Sequence, residues 1–171
     1  MTAMLPDGRR LGAHLPLGGG MVKAVDRAHE IGASVLQVFS DNPTAWKRRA
    51  APPVELPAFR DRLVEHDVAP VAIHAAYLVN LAGPEQDFFE RSVEILATEL
   101  RGAASFRARF VNVHIGSHRG EGIEAGVRRL ADGVAWTLAA SETALADTID
   151  TAGAADLGPS PAMLVLENSA G

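Results

Sequence analysis

The chain has 171 residues, of which 47% are hydrophobic and 22% charged, so it can bury a sizeable core, and intrinsic disorder is excluded. It has no cysteine, which excludes disulfides, thiolate zinc sites and cysteine nucleophiles and is compatible with a cytoplasmic protein. No apolar run approaches the roughly 20 residues of a membrane-spanning helix, and we expect neither a membrane span nor a signal peptide.

Short apolar strands alternate with amphipathic helices. The strands are rich in Val, Ile, Leu and Phe, as strands buried on both faces are. They are predicted at Leu11–Leu15, Val35–Ser40, Pro70–His74, Phe110–Ile115 and Met163–Glu167. Helices are predicted near Gly20–Ile31 and Glu55–His66, and two more from helical spacing of Phe89, Val93, Leu96 and Leu100 and of Ile123, Val127, Leu130, Val134 and Leu138.

This alternation predicts an α/β fold built from parallel βαβ units, either a closed barrel or an open doubly wound sheet. No GxGxxG or GxxxxGK[ST] motif follows a strand, so the usual phosphate loops of open sheets are missing. A TIM barrel needs about 250 residues, and the fifth strand has no helix after it. We therefore predict that residues 1–171 are the N-terminal portion of a single parallel (β/α) TIM-barrel domain, truncated after strand five.

Polar residues lie at the C-terminal ends of the predicted strands. In a parallel barrel the C-terminal strand ends share one rim, with neighbouring strands about 4.8 Å apart. His74, His114 and Glu167 end three consecutive strands, and two imidazoles with a carboxylate suit a catalytic zinc that keeps an open water position. Each residue alone is more often a hydrogen-bonded structural group, so it is their combination that favours a metal site.

Four motifs, in order, resemble signatures of the endonuclease IV family, also called AP endonuclease family 2. They cover the whole chain: Gly12-Ala13-His14 with Gly19-Gly20, then the stretches 74–81, 112–118 and 166–171. The family is a xylose isomerase-like TIM barrel that cuts DNA 5′ to abasic sites with a three-zinc cluster. The resemblance implies a DNA-repair hydrolase whose cofactor is Zn²⁺ and whose partner is abasic double-stranded DNA.

The resemblance also implies roles for individual residues. His74, His114 and Glu167 are implied ligands of one zinc ion, with Glu167 bridging to a second and acting in catalysis. Tyr77 matches an aromatic residue that enters the DNA near the lesion. The residues expected around the ligands, without binding the metal directly, are His14, His118 and Asn80. For His118, four residues beyond His114 in a loop, a solvent-exposed position fits equally well.

The loop after the second strand departs from the family pattern. Thr44 stands where the family usually carries an arginine that wedges into the duplex. The net charge of −5 does not indicate a nucleic-acid-binding protein, but one basic stripe can hold a phosphate backbone on an acidic protein. The candidate DNA-binding residues in this loop are Asn42, Lys47, Arg48 and Arg49, although a solvated loop explains the basic residues equally well.

Two alternatives stay open at this point. One is a sugar isomerase or epimerase of the xylose isomerase-like barrel group, which also places metal ligands at strand ends. The other is a non-catalytic fragment that folds only with a partner or as an oligomer that pairs its open sheet edges. The stretches Tyr77–Leu81 and His114–His118 favour the nuclease, and residues 144–161 are interpreted as a surface insertion without function.

Overall fold

The computed structural model describes residues 7–149 and 162–168. In this part of the chain five strands alternate with four α-helices, as predicted. Their bounds are β1 Gly12–His14, α1 Met21–Glu30, β2 Val35–Val38, α2 Leu56–Glu65, β3 Val71–His74, α3 Gln86–Gly102, β4 Ala108–His114, α4 Ile123–Ile149 and β5 Met163–Glu167, with a 3₁₀ turn at Ala103–Phe106 before β4. No helix among these residues is long and apolar enough to cross a membrane.

The five strands form one parallel sheet in the order β1-β2-β3-β4-β5. A doubly wound sheet would reverse its strand order at a switch point, so sequential order agrees with a partial α/β barrel. In the registers of the sheet, His74 lies beside Asn112 and His114 lies beside Glu167. The C-terminal ends of β3, β4 and β5 therefore meet at the same edge.

One face of the sheet packs against the helices, and the other carries polar side chains. In β2, Leu36 and Val38 are fully buried, whereas Val35 and Gln37 are only partly buried. The same alternation holds in β4, where Asn112 lies between two buried valines. The expectation of strands buried on both faces is therefore wrong for β1, β2, β4 and β5, because each has partly buried or exposed positions along it. In β2 and β4 the partly buried face includes the polar residues Gln37 and Asn112.

The helix boundaries follow from local sequence and from one long-range bond. Gly32, with φ of +78°, ends α1 in a conformation that glycine adopts without strain. The start of α1 follows Gly20, which has no side chain to cap the helix. Glu55 supplies the missing acceptor, since its Oε2 accepts a hydrogen bond from the Met21 amide at 2.7 Å.

The predicted insertion at residues 144–161 is only partly a connection. Helix α4 continues to Ile149, so residues 144–149 extend a helix and do not begin a loop. Alanine-rich sequence favours this continuation, because alanine has the highest helix propensity. Residues 150–161 lie outside the described residues.

Candidate metal centre and nucleic-acid interface

The structure brings the three predicted ligands together at the strand-end rim. Nε2 of His74 lies 3.6 Å from Oε2 of Glu167, and Nε2 of His114 lies 3.7 Å from Oε1 of the same carboxylate. The three donor atoms all lie within 4.8 Å of one another. Within residues 7–149 and 162–168, this is the one group of three such side chains that could hold a metal ion.

Hydrogen bonding prepares His74 for this role. Its ring is 5% exposed, and its Nδ1 lies 2.8 Å from the carbonyl oxygen of Ala75. A carbonyl only accepts, so Nδ1 is the donor in this contact, and Nε2 is the ring nitrogen that faces Glu167. Histidines that bind metal are usually oriented by such a second hydrogen bond.

A row of polar side chains on the inner face supports Glu167. The side-chain amide of Asn112 donates to Oε2 of Glu167 and lies 3.5 Å from Oε1 of Gln37. The Gln37 amide in turn lies 3.2 Å from Nδ1 of His14. Sequence reasoning missed Gln37 and Asn112, although both are polar residues at alternate positions of apolar strands, which is the signal of an inward-facing polar site.

His14 lies beside the ligands, as expected. Its ring stacks on that of His74, with 5.4 Å between centroids and 16° between planes. Burial lowers the pKa of His14, His74 lowers it further, and the negative charge of Glu167 partly opposes both. The neutral imidazole is therefore favoured, which limits positive charge next to a prospective cation.

Asn80 and His118, the other two residues expected around the ligands, form hydrogen bonds with the loop after β4. Asn80 Oδ1 accepts a hydrogen bond from the Ser117 amide at 3.0 Å, and its Nδ2 donates to the Ser117 carbonyl at 3.1 Å. Nδ1 of His118 accepts from the amides of Gly120 and Gly122 at 3.2 and 3.1 Å. Both side chains hydrogen-bond to the backbone of the loop that follows β4.

The ring of Tyr77 lies beside those of His74 and His114, the two histidines of the candidate site. Its side chain is an exposed large hydrophobic group, at 58%, and its ring centroid lies 5.9 Å from that of His74 and 6.5 Å from that of His114. Phe39 contacts the ring edge-on, with 5.0 Å between centroids. The Tyr77 amide donates to the carbonyl of Pro43 at 2.9 Å, which joins the loops that follow β2 and β3.

The basic cluster after β2 is not one uniform surface. Lys47 is exposed, whereas the Arg48 side chain is 14% exposed and forms an ion pair with the buried Glu99. Arg49 is exposed, at 44% of its side chain, and its guanidinium lies 3.3 Å from the carboxylate of Asp41. Lys47 and Arg49 are therefore open to a ligand in solution, and Arg48 is not.

Two other predicted loop residues are ordered at the rim. Oδ1 of Asn42 accepts hydrogen bonds from the Thr44 amide at 3.0 Å and the Thr44 hydroxyl at 2.9 Å. Both residues are exposed. This local turn fixes the backbone that leads from β2 to Lys47.

The chain is similar to proteins named endonuclease 4. It is 36% identical to the probable endonuclease 4 of Methanoculleus marisnigri over 94% of this chain and 51% of that protein. It is 40% identical to the probable endonuclease 4 of Natranaerobius thermophilus over 69% of this chain and 42% of that protein. The chain thus spans about half the length of the curated relatives it matches.

Solved structures give the same grouping. Endonuclease IV from Thermus thermophilus matches with a TM-score of 0.72 and 32% identity, over 95% of this chain and 53% of that one. D-psicose 3-epimerase from Clostridium cellulolyticum matches with a TM-score of 0.57 at 8% identity, over 79% of this chain and 49% of that one. The second likeness shows a shared fold alone.

The family model for xylose isomerase-like TIM barrels matches residues 25–162, which is most of the chain. This match confirms the TIM-barrel fold predicted for the chain. The chain belongs to the xylose isomerase-like TIM barrel family, and within that family its similarity is to endonuclease IV.

Proposed function

We propose that this chain carries part of the active site of a zinc-dependent endonuclease that hydrolyses the phosphodiester 5′ to abasic sites in duplex DNA. The observation that carries the proposal is the convergence of His74, His114 and Glu167 at the rim beneath the exposed ring of Tyr77. The similarity to endonuclease IV supports the same activity. On this proposal, residues 1–171 form a portion of a single barrel domain.

The donor chemistry fits zinc. His74 and His114 would each give Nε2, and Glu167 would give a carboxylate oxygen, which is the set found in catalytic zinc sites with an open position. When bound, zinc polarises a phosphoryl oxygen and lowers the pKa of a bound water. The two oxygens of Glu167 face different histidines, so one carboxylate can serve two binding directions. The Asn112 amide holds that carboxylate in place.

The loops above the centre would recognise the DNA. An exposed aromatic ring beside a catalytic centre can stack in the gap left by a missing base, and stacking is worth about 1–3 kcal/mol per base. Lys47 and the exposed part of Arg49 would contact phosphates, which sets position and not sequence. Arg48 is not assigned a phosphate contact, because Glu99 already binds its guanidinium.

A sugar epimerase remains the other candidate in the family, and only the shared fold supports it. The epimerase structures match at 8% and 13% identity. An exposed tyrosine beside the two histidines, and an exposed lysine in the loop whose Pro43 carbonyl the Tyr77 amide binds, fit a polymer of phosphates better than an enclosed sugar. We therefore retain the nuclease.

Substitution of Tyr77 and Lys47 separates lesion recognition from general DNA affinity. Tyr77→Ala should reduce the preference for abasic over intact duplex about tenfold, because the stacking ring is lost. Tyr77→Phe, the matched control, should keep the preference. Lys47→Ala should weaken binding to both duplexes and lower the salt slope by about one. Fluorescence anisotropy with the two labelled duplexes at several salt concentrations measures these quantities.

If Tyr77→Ala keeps the full preference for abasic duplex, the ring packs against Phe39 and does not read the lesion. If the unsubstituted chain binds both duplexes equally in zinc, this surface has no part in lesion recognition.

The chain alone should cleave abasic DNA slowly. Phosphodiester hydrolysis in multi-metal sites uses one ion at the attacking oxygen and another at the leaving oxygen. Among the described residues, one group of three side chains could hold an ion, and on this proposal it would serve only one of the metals. A gel assay on abasic duplex with added zinc should show turnover far below that of the full-length enzyme from Thermus thermophilus; turnover near that level, absent from the His74→Ala variant, would contradict this.

A further inference from the structure

A buried ion pair fastens the loop between β2 and α2 to helix α3. Glu99, in α3, is 3% exposed, and its carboxylate accepts hydrogen bonds from the Ser40 hydroxyl and the Arg48 guanidinium. The same guanidinium donates to the carbonyl of Asn42 at 3.1 Å. The Glu99 side chain therefore joins the start of the loop, at Ser40, to its later part, at Arg48. Glu99 itself lies in α3, 51 residues after Arg48.

Stability alone is a poor explanation for this cluster. Burial raises the pKa of Glu99, and the bonds from Ser40 and Arg48 only oppose that effect. Well-packed apolar residues often stabilise a protein as much as a buried ion pair does, or more. What an ion pair with a planar, forked donor adds is a defined geometry. The ion pair between Glu99 and Arg48 therefore defines the geometry of the loop between β2 and α2.

A series of contacts connects Glu99 with the ring of Tyr77, which lies beside His74 and His114. Arg48 holds the carbonyl of Asn42, and the next residue, Pro43, accepts the hydrogen bond from the Tyr77 amide at 2.9 Å. The Tyr77 ring then lies 5.9 Å from that of His74. Displacement of Arg48 would leave the Asn42 carbonyl with only the 3.3 Å bond from the Ala45 amide, so the neighbouring Pro43 carbonyl, which the Tyr77 amide binds, would be held less firmly.

We infer that Glu99 is a positioning residue that, through Arg48, sets the place of Tyr77 and of the segment from Asn42 to Lys47 at the rim. Glu99 is buried beneath this loop and acts on a bound DNA only through these groups. Its consequence for lesion recognition rests on the proposed function. The effect of Glu99 on the position of the loop does not depend on the proposed function and can be measured without DNA.

Backbone hydrogen exchange of Glu99→Gln tests the inference directly. The substitution keeps the shape of the side chain and removes its charge, so the bond to Arg48 weakens. Exchange of the Tyr77 amide should become about tenfold faster, the loss expected for a charged hydrogen bond. The strand amides of Ile73 and Val111 should be unchanged. Glu90→Gln, the same change at an exposed position of α3, is the matched control and should match the unsubstituted chain.

Arg48→Lys is the second variant, chosen because it keeps the charge pair and the fold. One ammonium group cannot reproduce the fork that reaches both Glu99 and the Asn42 carbonyl, so exchange at Tyr77 should again rise. Unchanged exchange at Tyr77 in both variants would overturn the inference. So would equal acceleration at Tyr77, Ile73 and Val111, because that pattern indicates global destabilisation.

The DNA measurement separates this inference from the proposed function. If both hold, Glu99→Gln should lower the abasic preference in the same direction as Tyr77→Ala, with zinc affinity at His74 unchanged. If the unsubstituted chain has no abasic preference, the proposed function fails, while the exchange result still decides the role of Glu99.

Discussion

Replacing His74 with alanine should lower zinc affinity by more than about 100-fold, which is the upper figure for changes to groups that only surround a metal. The reason is that the Ala75 carbonyl engages Nδ1 of the buried ring and leaves Nε2 facing Glu167. Among the described residues, His74, His114 and Glu167 are the one group of three that could hold a metal ion. Isothermal titration with Zn²⁺ measures the affinity.

His66→Ala is the matched control. His66 is a partly buried histidine between helices, 3.2 Å from Asp26, so its loss removes an imidazole without touching the rim. Zinc affinity should be unchanged in this variant. If His74→Ala binds zinc as tightly as the control, the convergence of the three side chains is a hydrogen-bonded cluster and the metal assignment fails.

Gly116→Ala should disrupt the loop that follows His114, whereas Gly120→Ala should not. Both glycines have positive φ, +85° and +93°, so alanine costs each about 1–2 kcal/mol in backbone strain. At Gly116 a Cβ would also overlap Oδ1 of Asn80 and lie 3.0 Å from its Cγ, while at Gly120 it would meet nothing within 4 Å. The difference between the variants isolates the clash.

The clash should cost a further 2–3 kcal/mol or so in free energy of unfolding, because displacing Asn80 breaks its bonds to the Ser117 backbone, each worth about 1 kcal/mol. Urea denaturation measures the unfolding free energy, and zinc titration measures the effect on His114. Equal stability of the two variants would show that Asn80 moves aside without cost. The loop would then not be held by its side chain.

The strands and the three predicted ligands could be located from the sequence because each depends on local pattern. Apolar runs indicated the strand positions, and a polar residue at the end of a parallel strand has to lie at the common rim. His74, His114 and Glu167 needed no further information to be placed together. The barrel was favoured over an open sheet by the absence of phosphate loops, and the sequential strand order agrees with it.

The partner of Arg48 could not be predicted. Glu99 lies on the apolar face of α3, three residues after Leu96 and four after Ile95, but helical spacing does not show which cation meets a carboxylate buried there. Asn80 and His118 were placed near the ligands by motif, but their hydrogen bonds go to loop backbone. Side-chain amides and neutral imidazoles can accept or donate in many directions, so a motif gives their neighbourhood and not their partner.

The rim loops are joined in series. Glu55 binds the amide that begins α1, the Pro43 carbonyl binds the Tyr77 amide, and Asn80 binds the backbone of Ser117. Each bond crosses from the loop after one strand to the loop after the next, so the loops following β1 to β4 share their backbone geometry. Replacing one of these loops with that of a relative would therefore remove one partner from each bond that the loop makes with its neighbours. An engineered change of substrate should succeed more readily when adjacent loops are exchanged together.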